Sequence, residues 1–240
     1  TPALDLERLS PVDKWILTEL DRAILKANEQ LAVFRFNDAA NALYHFFWHS
    51  FCDWYLELVK PALLGQGKTE EGRSAHSVMR YVLETSLKLL HPFIPFLTEE
   101  VWHLLGHTDS IMLASWPEPL LEDRFQKDVQ GIRLFQDAVI GIRDLRMRLG
   151  LKPDQLLEEV RIGARTKEAA QVMREFEPQI AMFARVEKVS LAHDAKKTSG
   201  MIGKVYSQME IFVAGLSPEV LRREEEHTKK KILQLETVIR

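Results

Sequence analysis

Four cations, Arg143, Arg146, Arg148 and Lys152, crowd one stretch of the chain, with Asp144 the only acid between them. Lysine and arginine are the residues that phosphate groups require, and arginine adds a planar fork and a stacking face. The same cluster also reads as the solvated end of a helix, because cations complement the dipole at a C-terminus. Sequence alone leaves both readings open.

Arg35, Phe36 and Asn37 form a second constellation. It offers a charge, a ring for stacking and an amide able to read a base edge. Helix initiation explains the same residues, with Asn37 as the cap and Phe36 as an apolar staple. That reading takes precedence because a cap asks only for local geometry.

His45, His49 and Asp53 recur every four residues, a spacing at which one helical face can ligate zinc. Phe46, Phe47, Trp48, Phe51, Trp54 and Tyr55 surround them, and no companion ligand motif stands elsewhere. The expectation is therefore a packed core with a few hydrogen-bonded polar groups and no metal site. Asp53, a carboxylate among aromatics, is expected to anchor a buried polar contact. There is no Gly-rich phosphate loop, no Gly-x-Ser-x-Gly elbow and no Cys-x-x-Cys pair, so no catalytic residue is expected either.

The elements that must position these residues are mostly helical. Ser10-Pro11 announces the first helix, and Val12, Trp15, Ile16, Leu20, Ala23, Ile24, Ala27 and Leu31 follow at helical spacing. A second helix is expected from Asn37 to about Leu64, before Gly65 and Gly67. It is apolar on nearly every side from Leu43 to Tyr55, which predicts a central, buried helix. A third runs from about Glu71 to Leu90. His91-Pro92-Phe93-Ile94-Pro95 then kinks the chain, and a helix restarts at Thr98. The longest candidate, about Asp123 to Leu149, ends at Gly150 with Pro153 beyond it.

Patterning changes after Pro153. Val160-Arg161-Ile162, Val189-Ser190-Leu191 and Met209 to Val213 read as strands, with one helix from Thr166 to Phe183 and a polar, mobile loop from His193 to Gly203 carrying Lys196 and Lys197, with Lys204 just beyond. Ser217-Pro218 starts a charged helix with Leu221, Ile232, Leu235 and Ile239 as a sparse apolar seam, the pattern of a coiled coil. The expected fold class is mainly α: a bundle of about five helices over residues 1–152, a small α/β module over 153–216, and the start of a coiled-coil arm over 217–240.

Composition narrows the function classes. At 240 residues and 46% hydrophobic content the chain can bury a substantial core. Its formal charge of -3, from 32 basic against 35 acidic residues, excludes a uniformly basic coat, so any polyanion must meet a local basic face. One cysteine, Cys52, allows no intrachain disulfide and fits a reducing compartment. No apolar run approaches the roughly 20 residues of a membrane span, and no leader pattern opens the chain.

Three segments carry a family resemblance. FCDWYLELVKPAL at 51–63, HPFIPFLTEEVW at 91–102 and IRDLRMRLGLKP at 142–153 resemble the anticodon-binding region of valyl-tRNA synthetases, and SPVDKWIL at 10–17 and FRFNDAANALY at 34–44 match the same family in order. The related isoleucyl enzymes carry a sequence of the DLSSFYLD kind where this chain has CDWYLE. The resemblance spans essentially the whole chain. It implies a cytoplasmic, non-catalytic, tRNA-binding part of an aminoacyl-tRNA synthetase, serving translation and binding the anticodon stem and loop of valine tRNA. It also implies that the nucleotide-binding fold, the editing domain and the use of ATP and magnesium belong to other parts of the same polypeptide, as does a preceding helix that supplies anticodon contacts. The chain alone is then expected to be inactive and not to oligomerise. On this reading Arg35, Phe36, Asn37, Arg143, Arg146, Arg148 and Lys152 are the candidate RNA-binding residues. Two other readings remain: a protein-interaction module acting through the helix after Ser217, and the equivalent part of a paralogous class I synthetase.

Overall fold

Ser10 sets the first long helix, α1 (Pro11–Ala32). Its hydroxyl accepts the Asp13 amide at 3.1 Å, the Asp13 carboxylate accepts the Ser10 amide at 3.3 Å, and Pro11 occupies the first helical position. The apolar residues read from the sequence line one face: Trp15, Ile16, Leu20, Ala23, Ile24 and Ala27 are buried. This computed structural model describes residues 4–64, 69–120, 124–152, 154–193, 195, 198 and 200–239. The chain divides into two compact units, Thr1–Ile132 and Arg133–Arg240.

The first unit is helical. After α1 come α2 (Phe36–Tyr44), a π-helical segment (His45–Tyr55), α3 (Leu56–Leu64), α4 (Glu70–Leu90) and α5 (Pro95–Leu104). The core lies where α1 packs against α2, the π-helical segment and α4. Asn37 does not cap α2: the cap position is Arg35, without a side-chain hydrogen bond, and the helix starts at Phe36. The stretch from Leu43 to Tyr55 is not buried on all sides. Leu43, Phe46, Phe51 and Tyr55 are buried, whereas Tyr44 and Trp48 are about half exposed. The segment packs against α1, which covers one side of it, and its winding carries an i→i−5 hydrogen bond from the Leu56 amide to the Phe51 carbonyl. Phe47, Phe51 and Tyr55 form an inner column, with ring centroids 5.6 and 5.9 Å apart along it.

Thr69 caps α4 by accepting the Gly72 amide at 3.0 Å. The kink after Leu90 is present, but α5 begins at Pro95 rather than Thr98. Thr98 is buried within the first turn, its hydroxyl 2.7 Å from Nδ1 of His91. Glu84, nearly inaccessible, accepts Nε of Arg80 at 2.8 Å, and its Oε1 lies 3.0 Å from Nε2 of His107. His107 in turn stacks on Trp102 with centroids 3.6 Å apart. Gly65 and Gly67, expected to stop the second helix, lie outside the described residues.

Helix α6 (Gln126–Arg148) enters the second unit at Arg133. Gly150 terminates it in the left-handed conformation (φ 67), with the Leu151 amide bonded to the Arg146 carbonyl and the Gly150 amide to the Met147 carbonyl. Pro153 lies outside the described residues. The sheet follows as β1 (Leu157–Ala164), α7 (Lys167–Glu175), α8 (Glu177–Ala184), β2 (Val186–His193), β3 (Ile202–Tyr206) and β4 (Met209–Ala214). Its order is β2-β1-β4-β3, with β1 and β2 parallel and the other pairs antiparallel. A mainly α fold with a small α/β module is thus what the chain adopts.

Two local expectations change. The single helix from Thr166 to Phe183 is two, broken at Phe176 (φ -104, ψ 8) just before Pro178. The polar loop after His193 gives way to β3 at Ile202. A strand carrying Gly203 and Lys204 has weak propensity and is held by its pairing with β4. Lys196 and Lys197 lie outside the described residues. Helix α9 (Pro218–Ile239) begins as expected. Ile232 is exposed on it, and the Leu235 and Ile239 side chains lie outside the described residues.

Candidate nucleic-acid interface

The end of α1 and the start of α2 expose an aromatic pair. Phe34 follows α1 in the left-handed conformation (φ 60), with its amide bonded to the Leu31 carbonyl and the Arg35 amide to the Gln30 carbonyl. This is the same helix ending that Gly150 makes, built here on a phenylalanine that is 78% exposed. A side chain in that conformation costs about 1 kcal/mol relative to glycine. Phe36, also exposed, meets Phe34 edge to face with centroids 6.3 Å apart. Arg35 is exposed and paired with Asp38 at 3.0 Å, and Asn37 is exposed. The structure therefore brings the three sequence candidates of this loop together on the surface and adds Phe34.

Asn37, Asn41, Tyr44, His45, Trp48 and His49 continue as an exposed face along α2 and the π-helical segment. Tyr44 and Trp48 lie parallel, 4° apart in plane with centroids 6.4 Å apart, and His45 and His49 are 5.3 Å apart beside them. His49 Nδ1 lies 3.0 Å from Oδ2 of Asp53, and that carboxylate is about half exposed. Asp53 is thus not the buried anchor expected of it. That place belongs to Asp13, 1% exposed, which accepts the Tyr55 hydroxyl at 2.8 Å. Among the described residues no group of three or more His, Cys, Asp or Glu could hold a metal ion. Amides, imidazoles and flat rings on one face can hydrogen-bond base edges and stack on bases.

The basic quartet separates. Arg146 is buried, and its guanidinium donates to the carbonyls of Ala184 at 2.6 Å, Lys152 and Arg185, each at 3.2 Å, and Gln155. Burial lowers its affinity for the proton, and the neighbouring charges of Arg185 and Arg143 lower it further. Arg143 is exposed and donates to the Phe183 carbonyl at 3.0 Å. Arg148 turns away to pair with Glu224 on α9. Lys152 is exposed and has no ion-pair partner among the described residues.

Sequence reasoning did not single out Phe34, Tyr44 or Trp48. Phe34 carries a local signal, since a helix end just before a second helix start ordinarily falls on glycine or asparagine. For Tyr44 and Trp48 the signal is hidden, because every turn from residue 44 to 55 holds an aromatic.

Residues 13–162, more than half of the chain, match the family described as the anticodon-binding domain of tRNA ligase. The chain is 35% identical to a valine–tRNA ligase of Agrobacterium fabrum over 266 aligned positions, covering 93% of this chain and 28% of that protein. It is 32% identical to that of Geobacter sulfurreducens over 96% of this chain and 26% of the relative, and 36% identical to that of Fervidobacterium nodosum over 86% and 24%. It thus spans about a quarter of the length of the curated relatives it matches. With its helical unit and matched span, the chain belongs to the anticodon-binding domain family of tRNA ligases, and the relatives named here are valine–tRNA ligases.

Proposed function

We propose that this chain binds the anticodon stem and loop of valine tRNA and so positions the tRNA for aminoacylation by a catalytic portion of the same polypeptide. The observation that carries the reading is the exposed Tyr44–Trp48 stack, flanked by Asn37, Asn41, His45 and His49 on elements whose other side is core. Unstacked loop bases would lie on the rings and on Phe34 and Phe36, and the amides would read their edges. Arg35 supplies a phosphate contact beside these rings; in the second unit Arg143, Arg148 and Lys152 supply phosphate contacts of their own, and Arg146 holds the wall on which Arg143 and Lys152 stand. In this proposal the chain works in the cytoplasm as a monomer, and ATP and magnesium serve the catalytic portion.

Electrophoretic titration of a valine tRNA transcript and of a second tRNA, each at two salt concentrations, tests the reading. Affinity should fall with salt by roughly 0.7 log units per log unit for each single-strand phosphate neutralised. W48A should weaken the valine complex about tenfold, the order of one stacked base. Equal affinity for both tRNAs would overturn the proposal.

A second reading rests on Ile232, half exposed on the charged helix α9, as a contact for a partner helix. Deleting residues 217–240 and measuring mass by light scattering separates the two. Loss of an assembled species with tRNA binding unchanged would favour the second.

A further inference from the structure

A cleft of about 770 Å³ opens in the second unit, bounded by the end of α6, the loop after it and the turn from α8 into β2. Arg143, Lys152 and Arg185 stand exposed around it, and Arg146 lies buried beneath. Asp154 is the one acidic residue lining it among the described residues. Four cations against one carboxylate, in a chain whose net charge is -3, make a local concentration of positive charge.

The backbone sharpens this. The carbonyls of Lys152, Phe183, Ala184 and Arg185 would ordinarily offer negative dipoles to the cleft, but they already accept from Arg143 and Arg146. Neither Lys152 nor Arg185 has an ion-pair partner among the described residues. Arg185 ends α8 in the left-handed conformation (φ 52), where glycine is the ordinary occupant, and so carries a charged side chain at the rim. The residual repulsion is felt by Arg146, whose guanidinium is disfavoured first by burial and then by Arg185 and Arg143.

The rest of the lining is apolar. Met147 is 73% exposed, with Leu151 and Phe183 partly exposed beside it. A small inorganic anion would use the cations and leave that wall bare. A nucleotide uses both, with its phosphate on the cations and its base on the thioether and ring.

We propose that this cleft is a second RNA subsite, holding one phosphodiester between Lys152 and Arg185 and the adjoining base against Met147 and Phe183. The choice of RNA over an acidic peptide rests on the tRNA-binding reading above, and the cleft itself does not involve the aromatic face of the first unit.

The test uses the 240-residue chain with its methionine methyl groups labelled with carbon-13, titrated with a five-nucleotide oligoadenylate. The Met147 resonance should shift and saturate. In K152Q/R185G, where glycine suits the backbone at 185, the shift should vanish and affinity should drop at least tenfold. K152Q alone should give an intermediate loss, and the salt slope of the double variant should be lower by about 0.7, the one phosphate that the pair neutralises. W48A should leave the Met147 shift intact. An unshifted Met147, or an equal shift produced by hexaglutamate, would overturn the subsite. Met147 shifting in a chain that fails to discriminate between tRNAs would instead sink the anticodon reading and leave the subsite standing.

Discussion

Tyr55 donates its hydroxyl to Oδ1 of Asp13 at 2.8 Å, joining residues 42 positions apart. The same carboxylate takes the Ser10 hydroxyl at 2.8 Å and the Ser10 amide at 3.3 Å, so one buried group both caps α1 and ties the π-helical segment to it. Removing the phenol leaves a buried carboxylate with one donor fewer. Y55F should therefore lower unfolding free energy by about 2 kcal/mol, and D13N by about 3, because the amide nitrogen would face the Ser10 donors. Urea denaturation measures both. An unchanged midpoint for both variants would show that the contact contributes nothing.

The same pair sets an alkaline limit. Burial first, then the Asp13 charge and its hydrogen bond, raise the Tyr55 phenol well above its usual value. A group protonated more tightly when folded adds stability that is complete below its unfolded pKa of ~10 and is lost as pH rises past it. Wild type should lose stability above about pH 10 more steeply than Y55F, whose titration lacks this group. Parallel pH profiles from pH 8 to 11 would contradict the assignment.

Glu84 sets an acid limit of the opposite sign. Burial pushes its carboxyl up, but the hydrogen bonds and charges of Arg80 and His107 outweigh burial and hold it below the usual range. A depressed carboxyl contributes stability that is present above its unfolded pKa and is lost as pH falls through the folded one. E84Q should be less stable than wild type at pH 7 by about 3 kcal/mol, since it strands Arg80 against a neutral amide. The gap should close as pH drops below about 4. A gap that persists unchanged at pH 3 would count against the account.

What could be read from the sequence was whatever is decided locally. Ser10-Pro11 and Gly150 mark their helix ends because capping needs only a few adjacent residues. Strand β1 shows in the alternation Val160-Arg161-Ile162, and the break before Pro178 was available from proline chemistry. Exposure within residues 44–55 was not legible, since Phe46 and Trp48 look alike in sequence while the packing of α1 on this segment decides which is buried. The fate of Arg146 was hidden for the same reason: its acceptors at 184 and 185 are distant in sequence.

Arg146 is accordingly a structural arginine. Its planar fork meets several carbonyls at once, a pattern an ammonium cannot reproduce. R146K should destabilise the second unit by about 3 kcal/mol, read as a lowered midpoint in thermal denaturation. An unaltered midpoint, with reduced RNA affinity only, would return Arg146 to the role of a phosphate ligand.

Phe34 separates stability from binding. Its left-handed backbone is the conformation glycine adopts freely, and its ring, 78% exposed, contributes little to the core. F34G should therefore raise unfolding free energy, by up to about 1 kcal/mol, because relief of strain outweighs the added freedom of the unfolded chain. If the ring stacks on a base, the same change should weaken valine tRNA binding about tenfold, within the range for one lost stack. The two effects run in opposite directions, so a general loss of folding cannot imitate them. Midpoint and affinity falling together would mean that Phe34 supports the fold and that its exposure has nothing to do with RNA.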